Sequence, residues 1–138
     1  MGRLVGIDYG LKRVGLAATD PLRIIASPLE TVRAHDIINY LTQYCEQEPV
    51  DAFIVGLPKR LDNSDTHATQ PVLLFVRQLE KKFPQQSVHL HDERFTSRMA
   101  MAAMIAGGTT KKYRRQKGNI DKISATIILQ SYLEANPS

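Results

Sequence analysis

One cysteine, few aromatic residues and no long apolar run set the first limits on this 138-residue chain. With Cys45 alone, no internal disulfide can form. Its neighbours suggest a helix, and nothing near it in sequence would lower its pKa, so it reads as a half-buried structural thiol. No apolar stretch approaches the roughly 18 residues needed to span a bilayer. The start runs straight into a strand-like Arg3-Leu4-Val5-Gly6-Ile7, with no basic, apolar and small-residue leader pattern. Gly6 stands where a myristoylation signal would need Ser or Thr. A cytoplasmic protein without membrane attachment is expected. The phosphate loop Gly-x-x-x-x-Gly-Lys-Ser/Thr is missing, as is a nucleophile elbow. His67, His89 and His91 form no zinc-ligand spacing with cysteine. No aromatic platform for stacking bases stands out, with Tyr113 the one candidate.

What is present describes an ordinary ordered domain. Hydrophobic residues make up 43% and charged residues 23%, which predicts a single domain over residues 1–138 with a real core. The charge is unevenly placed. Residues 94–122 carry Arg94, Arg98, Lys111, Lys112, Arg114, Arg115, Lys117 and Lys122 against Asp121 alone. That segment is +7 within a +4 chain, so the remainder sums to −3. Such a cluster is a footprint for a polyanion, although a charge run by itself also makes a solvated surface.

Hydrophobic periodicity predicts strands at Leu4–Asp8, Val14–Thr19 and Ile24–Val32, the first two joined by a short hairpin link. Helical spacing covers Asp36–Glu46 and stops before Pro49. The apolar run Asp51–Gly56 is a strand of the kind buried on both faces of a parallel sheet. A loop at 57–64, a long amphipathic helix at Asp65–Lys82 and a strand at Ser87–His91 follow. A helix at Thr96–Ala106, a basic loop at Thr109–Gly118 and a final helix at Ile120–Glu134 complete the chain. The final helix is apolar on nearly every side, so it should be buried. Three strands in succession, then two strands that each follow a helix, predict an α/β fold. Its mixed five-stranded sheet has three antiparallel strands, then two parallel ones, flanked by helices on both faces.

Three acids deserve weighing against that frame. Asp8 ends an apolar strand, and a desolvated carboxylate needs a cation, hydrogen bonds or a proton. By position alone, a turn-capping role and a functional role stand even. Glu93 follows the last strand beside Asp92. Alternation turns the two in opposite directions, and Glu93 is taken as the inward one. Asp121 sits in the first turn of the expected final helix, where complementing the helix dipole is a sufficient structural reason. Yet Asp121, Ala125, Ile128 and Tyr132 share one face of a buried helix. Acids on three separate elements suit hard divalent cations, which bind oxygen ligands and keep waters for phosphate. Two such ions about 4 Å apart can activate water and stabilise the leaving oxygen of a phosphodiester.

Four segments, in order, resemble the YqgF family, also called the RuvX or Holliday-junction-resolvase-like family, of the ribonuclease H-like superfold. They are Gly6-Ile7-Asp8-Tyr9-Gly10 with Lys12-Arg13 and Gly15-Leu16-Ala17; Val55-Gly56-Leu57-Pro58; Asp92-Glu93-Arg94-Phe95-Thr96-Ser97; and Asp121-Lys122-Ile123-Ser124-Ala125 with Ile128-Leu129-Gln130. Asn63 stands where the family usually carries glycine in a turn, a position that Asn tolerates best among other residues. The resemblance implies a catalytic and metal-binding triad of Asp8, Glu93 and Asp121, served by magnesium or manganese, with two ions expected. It also implies a nuclease that matures the 5′ end of the small-subunit ribosomal RNA precursor. Lys12, Arg13, Arg94, Arg98, Lys111, Lys112, Arg114, Arg115 and Lys117 are the candidates for holding the nucleic acid.

Other readings stay open. Branched DNA could replace precursor ribosomal RNA as substrate, giving a junction resolvase. The Gly-Ile-Asp-Tyr-Gly hairpin also resembles the phosphate-binding turn of sugar kinases and actin-like ATPases, although those need two such domains. A non-catalytic nucleic-acid-binding or transcription-associated protein would use the basic loop alone. The assembly is expected to be a monomer or a homodimer.

Overall fold

The computed structural model describes residues 2–57, 69–92 and 117–136. The elements are β1 (Arg3–Tyr9), β2 (Arg13–Thr19), β3 (Ala26–Arg33), a 3-10 turn (Ala34–Asp36), α1 (Ile37–Gln47), β4 (Val50–Leu57), α2 (Thr69–Lys82), β5 (Ser87–Asp92) and α3 (Lys117–Ala135). The strands form one sheet in the order β3-β2-β1-β4-β5. Pairing is antiparallel between β1 and β2 and between β2 and β3, and parallel between β1 and β4 and between β4 and β5. The mixed sheet expected from the order of elements is therefore found.

Alternation along the strands divides the core in two. Val5, Ile7, Val14, Leu16, Phe53 and Val55 face α1 and α2, meeting Ile37, Leu41, Val72, Phe75 and Leu79. Leu4, Ala17, Ala52 and Ile54 face the other way, onto Ala125, Ile128 and Leu129 of α3. The apolar run of β4 is thus buried on both faces, as its sequence requires. Cys45 packs partly buried beside the first cluster, and desolvation pushes its thiol above the ordinary range. Phe53 has no exposed surface and meets Phe83 edge-on at 5.2 Å between ring centroids. Phe53→Ala is expected to destabilise the protein by about 3–5 kcal/mol, read from urea denaturation.

Several boundaries differ from the sequence reading, each for a local reason. β3 begins at Ala26 rather than Ile24. The Asp20 carboxylate accepts the amides of Leu22, Ile24 and Ile25 at 3.1, 2.9 and 2.8 Å, holding these residues in a loop. Arg23 in that loop adopts φ 59°, with its guanidinium on Asp51. α1 begins at Ile37 behind a 3-10 turn, and Glu48 is already extended, the conformation that Pro49 imposes on the residue before it. α3 begins at Lys117, not Ile120. Asp121 therefore stands in the second turn, and no acid occupies the first. The dipole explanation for Asp121 weakens accordingly, because that effect fades beyond the first turn. From 121 to 133 no residue of α3 is fully exposed, in keeping with its apolar sequence. The expected helix at 96–106, most of the basic loop and the turn containing Asn63 lie outside the described residues.

Candidate active site

The face of the sheet under α3 is where the acids meet. Leu4, Gly6 and Asp8 share one parity on β1, and it is the parity that faces α3. Asp8 is cross-strand partner to Gly15, and Gly6 to Ala17. These small residues let the helix backbone come down onto the strands. A Cβ built on Gly15 would stand 2.0 Å from the Asp121 carbonyl oxygen, and one on Gly6 would stand 2.9 Å from that of Ala125. Asp121 and Ala125 are one helical turn apart, so successive turns of α3 rest on successive small residues of the hairpin. Asp121 is thereby seated over Gly15, beside Asp8.

The opposite face fixes the strand that carries Asp8. Tyr9 turns toward α2 and stacks on Phe75, with ring centroids 4.3 Å apart and planes within 16°. Asp8 is thus held between an anchored tyrosine and the buried Ile7. Its carboxyl is pushed up to about 6, first by burial and then by the negative charge of Asp121. Asp8 lies in a partly desolvated corner, and the neighbouring charge of Asp121 makes its ionisation costlier still.

Arg13, the first residue of β2, donates from Nε to Asp121 Oδ2 at 2.9 Å. The sequence reading placed Arg13 on substrate phosphate and did not anticipate this pair. Lys12 lies at the exposed hairpin tip, and its carbonyl accepts the Ala34 amide at 3.0 Å. On β5, the rings of His89 and His91 pack against Tyr132 at 5.8 and 6.2 Å between centroids. His91 Nε2 and Ser131 Oγ share a hydrogen bond of 2.8 Å. His91 is therefore a packed side chain that ties β5 to α3.

Asp8, Asp121 and Arg13 are brought together. Glu93, Arg94, Arg98, Lys111, Lys112, Arg114 and Arg115 lie outside the described residues, as does the side chain of Lys117. Among the described residues no group of three or more His, Cys, Asp or Glu is placed to hold a metal ion. Gly15, quoted above only as part of a motif, is the position whose packing role the sequence reading did not single out. Its signal was available: Gly15 and Ala17 are small residues at alternate positions of an otherwise bulky strand, which marks a face approached by backbone.

A family model described as "RuvX: Holliday junction resolvase" matches residues 2–135. The chain belongs to the RuvX family. A relative from Amoebophilus asiaticus, named "Putative pre-16S rRNA nuclease", is 51% identical over 135 residues, covering 98% of this chain and 96% of its own. Among solved structures, the Fowlpox virus resolvase bound to Holliday junction DNA superposes with a TM-score of 0.64 at 14% identity, covering 99% of both chains. T. thermophilus RuvC bound to a Holliday junction gives 0.61 at 16% identity, covering 99% of this chain and 97% of that one. At those identities the likeness establishes the resolvase-type, ribonuclease H-like fold expected from sequence. Among the described residues no helix is long and apolar enough to cross a membrane.

Proposed function

We propose that this RuvX-family chain is a single-domain, cytoplasmic, metal-dependent nuclease that cleaves phosphodiester bonds in structured RNA, acting on the 5′ end of precursor 16S ribosomal RNA. The observation that carries this reading is the seating of Asp121 beside Asp8 over Gly15. A structural pair of acids would be expected to spread apart or to bury full hydrogen-bond satisfaction. Here a strand and a helix converge to hold two acids together, and burial first, then the charge of Asp121, raises the carboxyl of Asp8. The name carried by half-identical relatives supplies the substrate.

The donor set fits magnesium or manganese. Both side chains offer hard carboxylate oxygens, and a dication would relieve the repulsion between them. Asp8 and Asp121 would hold the metal, with Glu93 as third ligand. Bound divalent ions would supply Lewis-acid stabilisation of the scissile phosphate and activation of the attacking water. The chain's own part is orientation and charge. β1, pinned by the Tyr9–Phe75 stack, holds Asp8 rigidly. Lys12, Arg94, Arg98, Lys111, Lys112, Arg114, Arg115 and Lys117 would grip the nucleic-acid backbone, with Arg13 at the edge of the acids.

The test is cleavage of a precursor 16S 5′-end transcript while magnesium or manganese is titrated, with a four-way DNA junction alongside. Metal-dependent cleavage of the RNA, stopped by EDTA, is the expected result. Cleavage of the junction alone would replace the RNA reading with a resolvase. Salt-sensitive RNA binding that survives EDTA, with no cleavage at any metal level, would replace it with a binding protein.

A further inference from the structure

Arg13 is a substrate-holding candidate by sequence, yet in the structure it is the partner of a proposed metal ligand. We propose that Arg13 is the resident counter-ion of the metal-free site: a divalent ion displaces its guanidinium from Asp121, and the freed guanidinium then binds the substrate backbone beside the cleavage point. The inference rests on the metal-nuclease reading given above.

Three observations carry it. The first is position. Arg13 is on β2 at the same parity as Gly15, so it projects onto the face where α3 seats Asp121. The second is the kind of contact. The pair is made through Nε alone at 2.9 Å, and the two side chains are 42% and 23% exposed. A half-exposed single contact is worth about 0–1 kcal/mol, so a dication can break it at little cost. A permanent pin would instead be buried and bidentate. The third is the anchoring of the backbone. Arg13 pairs with Arg33 across β2 and β3, and the Lys12 carbonyl accepts the Ala34 amide. Release therefore needs only side-chain rotation, and the guanidinium stays at the rim of the site.

The charges balance at each stage. Two carboxylates and one guanidinium leave the metal-free corner at −1. A dication takes over the work of Arg13, and the guanidinium becomes available as the phosphodiester brings in new negative charge. Arginine suits the second task because its planar fork matches phosphate oxygens. The other ion pairs described, Arg3–Glu48, Arg23–Asp51 and His35–Asp36, involve neither acid of the site.

The two possible roles of Arg13 give opposite signs. If it competes with metal, Arg13→Gln binds Mn2+ more tightly in the absence of nucleic acid, by roughly two- to fivefold, the value of removing one exposed competitor. If it merely orients Asp121, the same change weakens Mn2+. Calorimetric Mn2+ titrations of the parent, Arg13→Gln and Arg13→Lys decide between them, with Arg13→Lys expected near the parent. RNA binding in Ca2+ is the second readout. There Arg13→Gln should bind more weakly, with a salt slope smaller by about one phosphate contact. Unchanged or weaker Mn2+ binding overturns the displacement, and unchanged RNA affinity overturns the phosphate contact. Asp8→Asn, titrated in parallel, keeps the failures apart. Loss of Mn2+ there upholds the metal site whatever Arg13 does. Equal Mn2+ binding by Asp8→Asn and the parent, or none by either, overturns the metal reading and this inference together.

Discussion

Asp8→Asn should lose more than about a hundredfold in metal-dependent cleavage while making the metal-free protein more stable. The loss follows from the proposed role as ligand, since even the outer partners of metal ligands are worth about 10–100-fold. The gain follows from electrostatics. In the folded protein the Asp8 carboxyl titrates at about 6, against an ordinary value of 3.8. The folded state therefore holds this proton more tightly than the unfolded chain does. The contribution of Asp8 is full below the unfolded value and is lost as pH rises toward and through about 6. Above that, an ionised Asp8 costs roughly 3 kcal/mol, from its shift at about 1.36 kcal/mol per pH unit. Asparagine removes the charge and keeps the shape. Thermal unfolding in EDTA should show Asp8→Asn melting several degrees above the parent at pH 8, with the gap closing toward pH 4. Asp20 and Asp51 are shifted downward, chiefly by backbone amides, and are common to both proteins, so the difference isolates Asp8. A variant that keeps parental cleavage rates would remove Asp8 from the mechanism. One that loses activity without gaining stability would remove the account of Asp8 as an acid whose charge is made costly by burial and by Asp121.

Gly15→Ala is expected to do the reverse, damaging stability and catalysis together. Its new methyl would fall 2.0 Å from the Asp121 carbonyl oxygen and 2.9 Å from the Asp121 Cβ. The nearest obstacle is helix backbone, which cannot rotate away as a side chain can. α3 must lift by about 1 Å, with an overpacking cost of about 1–3 kcal/mol or more. Asp121 moves with it, and a displacement of that size in a catalytic group can cost about a hundredfold in rate. Gly6→Ala supplies the control. Its methyl would meet Leu129 Cβ at 2.8 Å and the Ala125 carbonyl at 2.9 Å, one turn farther along the helix. The two variants should melt at similarly lowered temperatures, but Gly15→Ala should lose far more kcat. Equal kcat values would mean that Gly15 merely packs.

Much of this was legible before the structure. The double burial of β4 follows from an unbroken apolar run, and the parallel pairing follows from the helices that precede β4 and β5. Asp8 could be placed at a strand end because five strand-like residues lead up to it. What sequence could not supply was register. That Asp8 lies opposite Gly15, and that Arg13 falls on the face of Asp121, depends on how the hairpin pairs and where α3 crosses it. Those are facts of packing between distant segments. Element ends were lost to local chemistry: the Asp20 side chain captures amides that a strand would have used. At its start α3 runs through Gly118 and Asn119 in spite of their poor helix propensity.

α3 follows all five described strands, yet it covers the face that carries Asp8. During synthesis the five strands, α1 and α2 can all emerge while Leu4, Ala17, Ala52 and Ile54 still lie bare. Asp8 on the first strand meets Asp121 only when α3 folds back across it. The order of elements makes the meeting of Asp8 and Asp121 a late event of folding, one that waits on the docking of α3.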